Sequence, residues 1–147
     1  IVWFVPANGP RPDGDLRGEI FDLEDVVRDP DLEKDSLHNL EVARHYFKLK
    51  KAYVAAIKRS EEIDAGNPNF AKMDEVLFIA GESSLRLAEN RGKQKIKEKT
   101  PEQLRQDARV YLSRLVTDYP NSVFAKQVDA DLQALGGPIP KPEGSPQ

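Results

Sequence analysis

Between residues 36 and 135 the apolar positions recur three or four residues apart, the spacing that gathers them on one side of an α-helix. Leu40, Ala43, Phe47 and Lys50, with Tyr46 beside them, make a first stripe. Tyr53, Ala56, Ile57, Ser60 and Ile63 make a second, stopped by Gly66, Asn67 and Pro68. Met73, Val76, Leu77, Ala80, Ser84 and Ala88 give a third. The fourth runs through Leu104, Ala108, Tyr111, Leu112, Leu115 and Tyr119 and ends at Pro120. It has the clearest start: Thr100 can accept from exposed amides, Pro101 takes the first helical position, and Gln103 can reach back to close a capping box. Asn121 or Ser122 is expected to cap a fifth helix with the stripe Phe124, Val128, Leu132 and Leu135, ended by Gly136. No strand pattern occurs outside residues 1–5. Five helices in series with short turns predict an all-α fold of antiparallel helix hairpins.

The ends read differently. Residues 1–15 hold Pro6, Gly9, Pro10, Pro12 and Gly14, too many breakers for a helix, and are expected to be extended or loose. Residues 13–35 carry ten Asp or Glu against Arg17, Arg28 and Lys34, with Phe21, Leu23, Val26 and Val27 able to form one short amphipathic turn. This acidic stretch either folds back on a lysine-rich segment further along or serves as a linker, since charge runs alone do not distinguish the two. Residues 136–147 contain four prolines and read as a flexible tail. The chain thus divides into an N-terminal segment (1–35), a helical domain (36–135, with an insertion near 89–100) and the tail (136–147).

The helical domain repeats itself. "EIDAGNPNF" and "LVTDYPNSVF" each place a proline and an asparagine between one helix and the next. Ala56 and Ala108 each lie twelve residues before those prolines, where a small side chain lets two helices approach closely. "LEVARHYFKLK" aligns with "LFIAGESSLRL" at an offset of 37, so Ala43 matches Ala80 and Arg44 matches Gly81. At this point the chain resembles the tetratricopeptide repeat, a helix pair of ~34 residues with a small residue in each helix and a terminal proline. The first copy fits through Leu40, Ala43, Phe47, Ala56 and Pro68 and departs at Ser60, where a large apolar residue is usual. The second fits through Ala80, Gly81, Ala108, Leu112 and Pro120 and departs by the insertion "ENRGKQKIKEKTPEQ". Residues 121–135 look like the first helix of a third copy, or a capping helix. The resemblance implies about two and a half tetratricopeptide-like repeats in a short right-handed solenoid.

A narrower resemblance rests on "LEVARHYF", "AAIKR", "AGESSLRL" and "YPNSVFAK", spread over roughly residues 36–135. In these phrases the chain is similar to the BamD family of outer-membrane assembly lipoproteins. That resemblance implies a periplasmic, lipid-anchored scaffold that sits with an outer-membrane barrel insertase and contacts unfolded barrel proteins.

Charge and composition narrow the chemistry. A formal net charge of -3 does not suggest a nucleic-acid or anionic-membrane partner, and no apolar run approaches the ~20 residues of a bilayer span. The chain does not start with Met, which reads as a mature form or an excised piece, with any export signal or anchor outside it. Without cysteine there is no disulfide, thiol nucleophile or thiolate metal site. His38, Glu41 and His45 share one helix face, but their spacing is not HExxH and a fourth ligand has no evident source, so solvated or groove-facing side chains are the expected reading. The adjacent acids Glu24 and Asp25, Glu61 and Glu62, and Asp74 and Glu75 diverge on a helix surface and make poor acid–base dyads. No GxSxG or GxxxxGK[ST] motif occurs. Arg91, Lys93, Lys95, Lys97 and Lys99 lack interleaved aromatics and are flanked by Glu89, Glu98 and Glu102, which reads as a solvated loop rather than a nucleic-acid patch, or as an arm touching a partner. Trp3, with Phe4 and Val5, reads as a cap over one end of the helix stack or as an anchor into a groove.

The expected function is therefore binding, with no enzyme activity, cofactor or metal. In tetratricopeptide arrays the first helix of each pair lines the concave side. This assigns His38, Glu41, His45, Lys48 and Leu49 to that face, and through the offset of 37 Glu75, Phe78, Glu82, Leu85 and Arg86. Polar hooks around Phe78 and Leu85 suit an extended peptide or a partner helix. The alternative is a generic adaptor or oligomerisation module of another complex, favoured if the fifth helix exposes more apolar surface than a cap needs.

Overall fold

The computed structural model describes residues 27–90 and 98–139. Among them the protein is all helical: α1 (Pro30–His45) runs into a π-helical turn (Tyr46–Lys50), followed by α2 (Tyr53–Gly66), α3 (Met73–Ala88), α4 (Pro101–Asp118) and α5 (Ala125–Ala134). No described residue lies in a strand. Trp3, the apolar start of the chain and most of the acidic segment fall outside the described residues, as do residues 91–97 of the lysine-rich insertion.

Local signals set most helix ends. Thr100 and Gln103 close the capping box from both sides, Gln103 N–H donating to Thr100 Oγ1 at 3.2 Å and Thr100 N–H to Gln103 Oε1 at 2.9 Å. At the end of α5, Gly136 and Gly137 take φ of 102° and 93°, where a Cβ would be strained, and the Gly137 amide turns back to the Leu132 carbonyl at 2.7 Å. Three readings need correcting. The first helix starts at Pro30, six residues inside the stretch read as an acidic N-terminal segment, because Asp29 accepts from the amides of Asp31 and Leu32 and Pro30 follows it. The fifth helix starts at Ala125, behind a turn in which Ser122 accepts from the Phe124 amide. The beginning of the expected flexible tail is held on α4, where Arg109 donates to the Gly137 carbonyl at 2.7 Å and the Ile139 amide donates to Ser113 Oγ at 2.8 Å.

Each helix packs on its chain neighbour. The start of α1 meets the end of α2 through Asn67, which donates to Glu33 and Ser36. The middle of α3 meets the middle of α4 at Gly81, where an added Cβ would overlap the Leu112 side chain. Ala43, Ala56, Ala80 and Ala108 are all buried at such crossings. Ser60, the position where a larger apolar side chain was expected, is buried and returns its hydroxyl to the Ala56 carbonyl at 2.9 Å. The core is one cluster running from Leu40, Phe47 and Ile63 through Met73, Leu77 and Ile79 to Leu112, Leu115, Val128 and Leu132. Behind it α2 and α4 lie together, with Arg114 forked onto Asp64 at 2.9 and 3.0 Å and Tyr111 donating to Glu61 at 3.0 Å.

Candidate protein-binding face

On the other side α3 meets α1 and the head of α5, which itself packs mainly on α4, and aromatic rings line these junctions. Phe78 on α3 stacks on Phe124 at the head of α5, with centroids 4.5 Å apart and planes at 21°. The same ring meets Phe47 edge-on at 6.3 Å, and Phe47 in turn meets Tyr53 at 5.9 Å. The Arg86 guanidinium lies over Phe47 at 4.5 Å and over Tyr53 at 5.6 Å, a cation held on two ring faces. In the first turn of α3, Glu75 takes both ends of the Arg44 fork at 2.5 and 2.6 Å. This hydrogen bond, more than the burial that opposes it, raises the Arg44 pKa above its ordinary value.

The ten residues assigned to this face from sequence divide into three groups. His38, Glu41, His45, Lys48 and Leu49 are exposed, Leu49 to 73%. Glu75, Phe78, Leu85 and Arg86 are half-buried along the seam of α3. Glu82 is not the open polar hook expected of it: it is only 5% exposed and faces Asp131 of α5. The π-helical turn explains part of the redistribution. It widens the end of the first helix so that the amides of Lys51 and Ala52 both turn to the Tyr46 carbonyl, and Lys51 closes it at φ 51°. Phe47 then points into the core while Lys48, Leu49 and Lys50 swing outward, which breaks the simple match of Lys48 and Leu49 to Leu85 and Arg86.

Glu82 and Asp131 set the electrostatics of the α3–α5 seam. Burial, then the hydrogen bond to Asp131, then the Asp131 charge push the Glu82 carboxyl up to about 8, while Arg86 pulls the other way. Sequence reasoning missed Arg44, Phe124 and Asp131 as partners. For Asp131 a signal was present: it falls three residues after Val128 and four before Leu135, a charge on the apolar stripe of α5. His38, Glu41 and His45 share the exposed side of α1, and among the described residues no three His, Cys, Asp or Glu side chains gather as metal ligands would. A separate depression of about 150 Å³ lies behind, between α2 and α4, bordered by Ile57, Leu104 and Tyr111 and by Lys99, which is paired to Asp107. No described helix is long and apolar enough to cross a membrane.

No family model matches this chain, and no curated protein or solved structure is significantly similar to it.

Proposed function

We propose that this chain is a non-enzymatic protein-binding scaffold, a short right-handed array of about two and a half tetratricopeptide-like repeats whose α1, α3 and α5 hold an extended peptide or partner helix. The observation that carries this reading is the half-buried Phe78–Phe124 stack, an apolar floor bordered by Arg86 and by the Arg44–Glu75 pair. Such a floor takes one or two apolar side chains, and the polar border takes the backbone and charged groups around them. The face is short, so one module alone binds modestly. The BamD-like phrases extend the proposal to a partner class and a place: an outer-membrane barrel insertase or unfolded barrel proteins in the periplasm, with membrane attachment through a lipid anchor outside residues 1–147 and no nucleic acid involved. Against the oligomerisation alternative, the outward positions of α5 are Lys126, Gln127, Asp129, Ala130, Gln133 and Ala134, with no large apolar side chain among them.

The test is in-cell crosslinking followed by mass spectrometry of what co-purifies. Outer-membrane barrel proteins and their insertase are expected to dominate, and Phe78→Ala is expected to deplete them. Recovery of self-crosslinks or cytosolic proteins alone would overturn the envelope assignment.

A further inference from the structure

Glu82 is buried and Asp131 half-buried where α5 meets α3, and each has one carboxyl oxygen, Oε2 and Oδ2 respectively, that is out of contact with solvent and has no hydrogen-bond donor. Ionised carboxylates only accept hydrogen bonds, so two of them in contact leave both oxygens unsatisfied and place like charges side by side in a poorly solvated interface. One proton held between them removes both faults at once. The other charges bearing on Glu82 come from its own helix: Arg86, whose guanidinium is engaged over Phe47 and Tyr53, and Glu89. From the α1 side, Arg44 is taken by Glu75. The face of α4 against α3 is Leu104, Ala108, Leu112 and Leu115, and its Arg109 turns to the Gly137 carbonyl.

We propose that α5 is latched to α3 by a proton shared between the Glu82 and Asp131 carboxyls, and that loss of this proton loosens α5 and opens the aromatic floor. The helix it holds is short, ten residues, and is otherwise anchored by packing along α4, by Val128 and Leu132 in the core, by Phe124 on Phe78, by Ser122 donating to Asp74 just ahead of it, and by the two hydrogen bonds from its trailing segment to α4. An element of that size opens locally without unfolding the rest. Burial and the hydrogen bond to Asp131 raise the Glu82 carboxyl from 4.5 to about 8, so the latch is closed at neutral pH and releases in mildly alkaline solution. Because Phe124 travels with α5, release uncovers one side of Phe78. This consequence for binding rests on the reading of the face as a peptide groove; the latch itself does not.

The experiment is a pH titration of the free protein by NMR, following side-chain carboxyl carbons and backbone amides from pH 4 to pH 10. The Glu82 carboxyl carbon is expected to show a step near pH 8, where a free glutamate titrates at about 4.3. The amides of Ala125–Ala134 are expected to shift with the same midpoint while those of α2 do not. In Glu82→Gln the side-chain amide donates to Asp131 at every pH, so the step vanishes and α5 stays docked. In Asp131→Asn, a second variant that keeps the test open if the first folds poorly, the midpoint moves down. A Glu82 carboxyl titrating in the ordinary acid range, a step that survives Glu82→Gln, or α5 amides indifferent to the step would each overturn the latch. All readings are taken without a ligand, so they stand or fall separately from the identity of any partner.

Discussion

The α1–α3 and α3–α5 seams join the same kind of element by opposite electrostatic means. At the first, Arg44 and Glu75 form a forked ion pair that needs no proton beyond those the guanidinium always carries. At the second, two acids face each other and the seam is complete only while one of them is protonated. Both seams share Phe78, which touches Phe47 on one side and Phe124 on the other. The difference places rigidity on the α1 side and adjustability on the α5 side. A groove with one fixed wall and one movable wall keeps its register while changing its width.

Phe78→Ala removes the ring common to both seams and is expected to have the largest effect on stability. A fully buried Phe→Ala costs ~3–5 kcal/mol, and the half-buried Phe78 should cost about 2 kcal/mol, read as a lower urea midpoint. An unchanged midpoint would mean the two seams are not coupled through this ring. The second expectation separates them by pH. The folded-state pKa of Glu82 is raised, so the folded protein holds a proton that the unfolded chain has already lost once pH exceeds about 4.5. Stability from this group is therefore greatest in acid and falls as pH rises from about 4.5 to about 8, by at most ~1.4 kcal/mol per pH unit. Subtracting the Glu82→Gln stability curve from that of the wild type isolates this slope. A flat difference curve between pH 5 and pH 8 would remove the asymmetry argued above.

The sequence carried more of the helices than of the seams. The stripes around Leu40, Ile63, Leu77, Leu112 and Leu132 located all five helices, because periodic burial is a local property of the chain. Thr100, Pro101 and Gln103 specified their helix start completely. The start of α1 was missed because Asp29 and Pro30, a cap followed by a first-turn proline, stood inside an acidic run and read as more of the same. What spacing could not supply was the depth of one helix against the next. An offset of 37 carried positions from the first helix to the third, but the π-helical turn inserts a change of register after His45. Across the next seam the matched pairs are Phe78 with Phe124 and Glu82 with Asp131, so no single offset describes it. Glu82 consequently looked like a surface hook, although Asp131 on the apolar stripe of α5 was already the trace of its partner.

Glu75→Gln tests the fixed wall. It leaves the Arg44 guanidinium, whose side chain is 30% exposed, with a neutral acceptor in place of a carboxylate. Partial exposure lets water replace some of the loss, so about 1 kcal/mol is expected. The cost should be the same at pH 6 and at pH 9, in contrast to Glu82→Gln. A cost that grew with pH would show that the two seams exchange charge through α3 and do not act as separate walls.

Thr100→Ala is the smallest of these changes and the control for the others. It removes the acceptor for the Gln103 amide at the exposed start of α4, and loss of such an exposed cap costs ~0.5 kcal/mol. The helix start lies away from both seams, while the body of α4 packs behind α3 and carries the segment that follows α5. If the seams are set by their own contacts, the variant lowers the urea midpoint slightly and leaves the pH slope of stability untouched. If fraying α4 instead shifts the Glu82 step, then α5 is held mainly through Arg109 and Ser113. The proton would then report on its docking without controlling it.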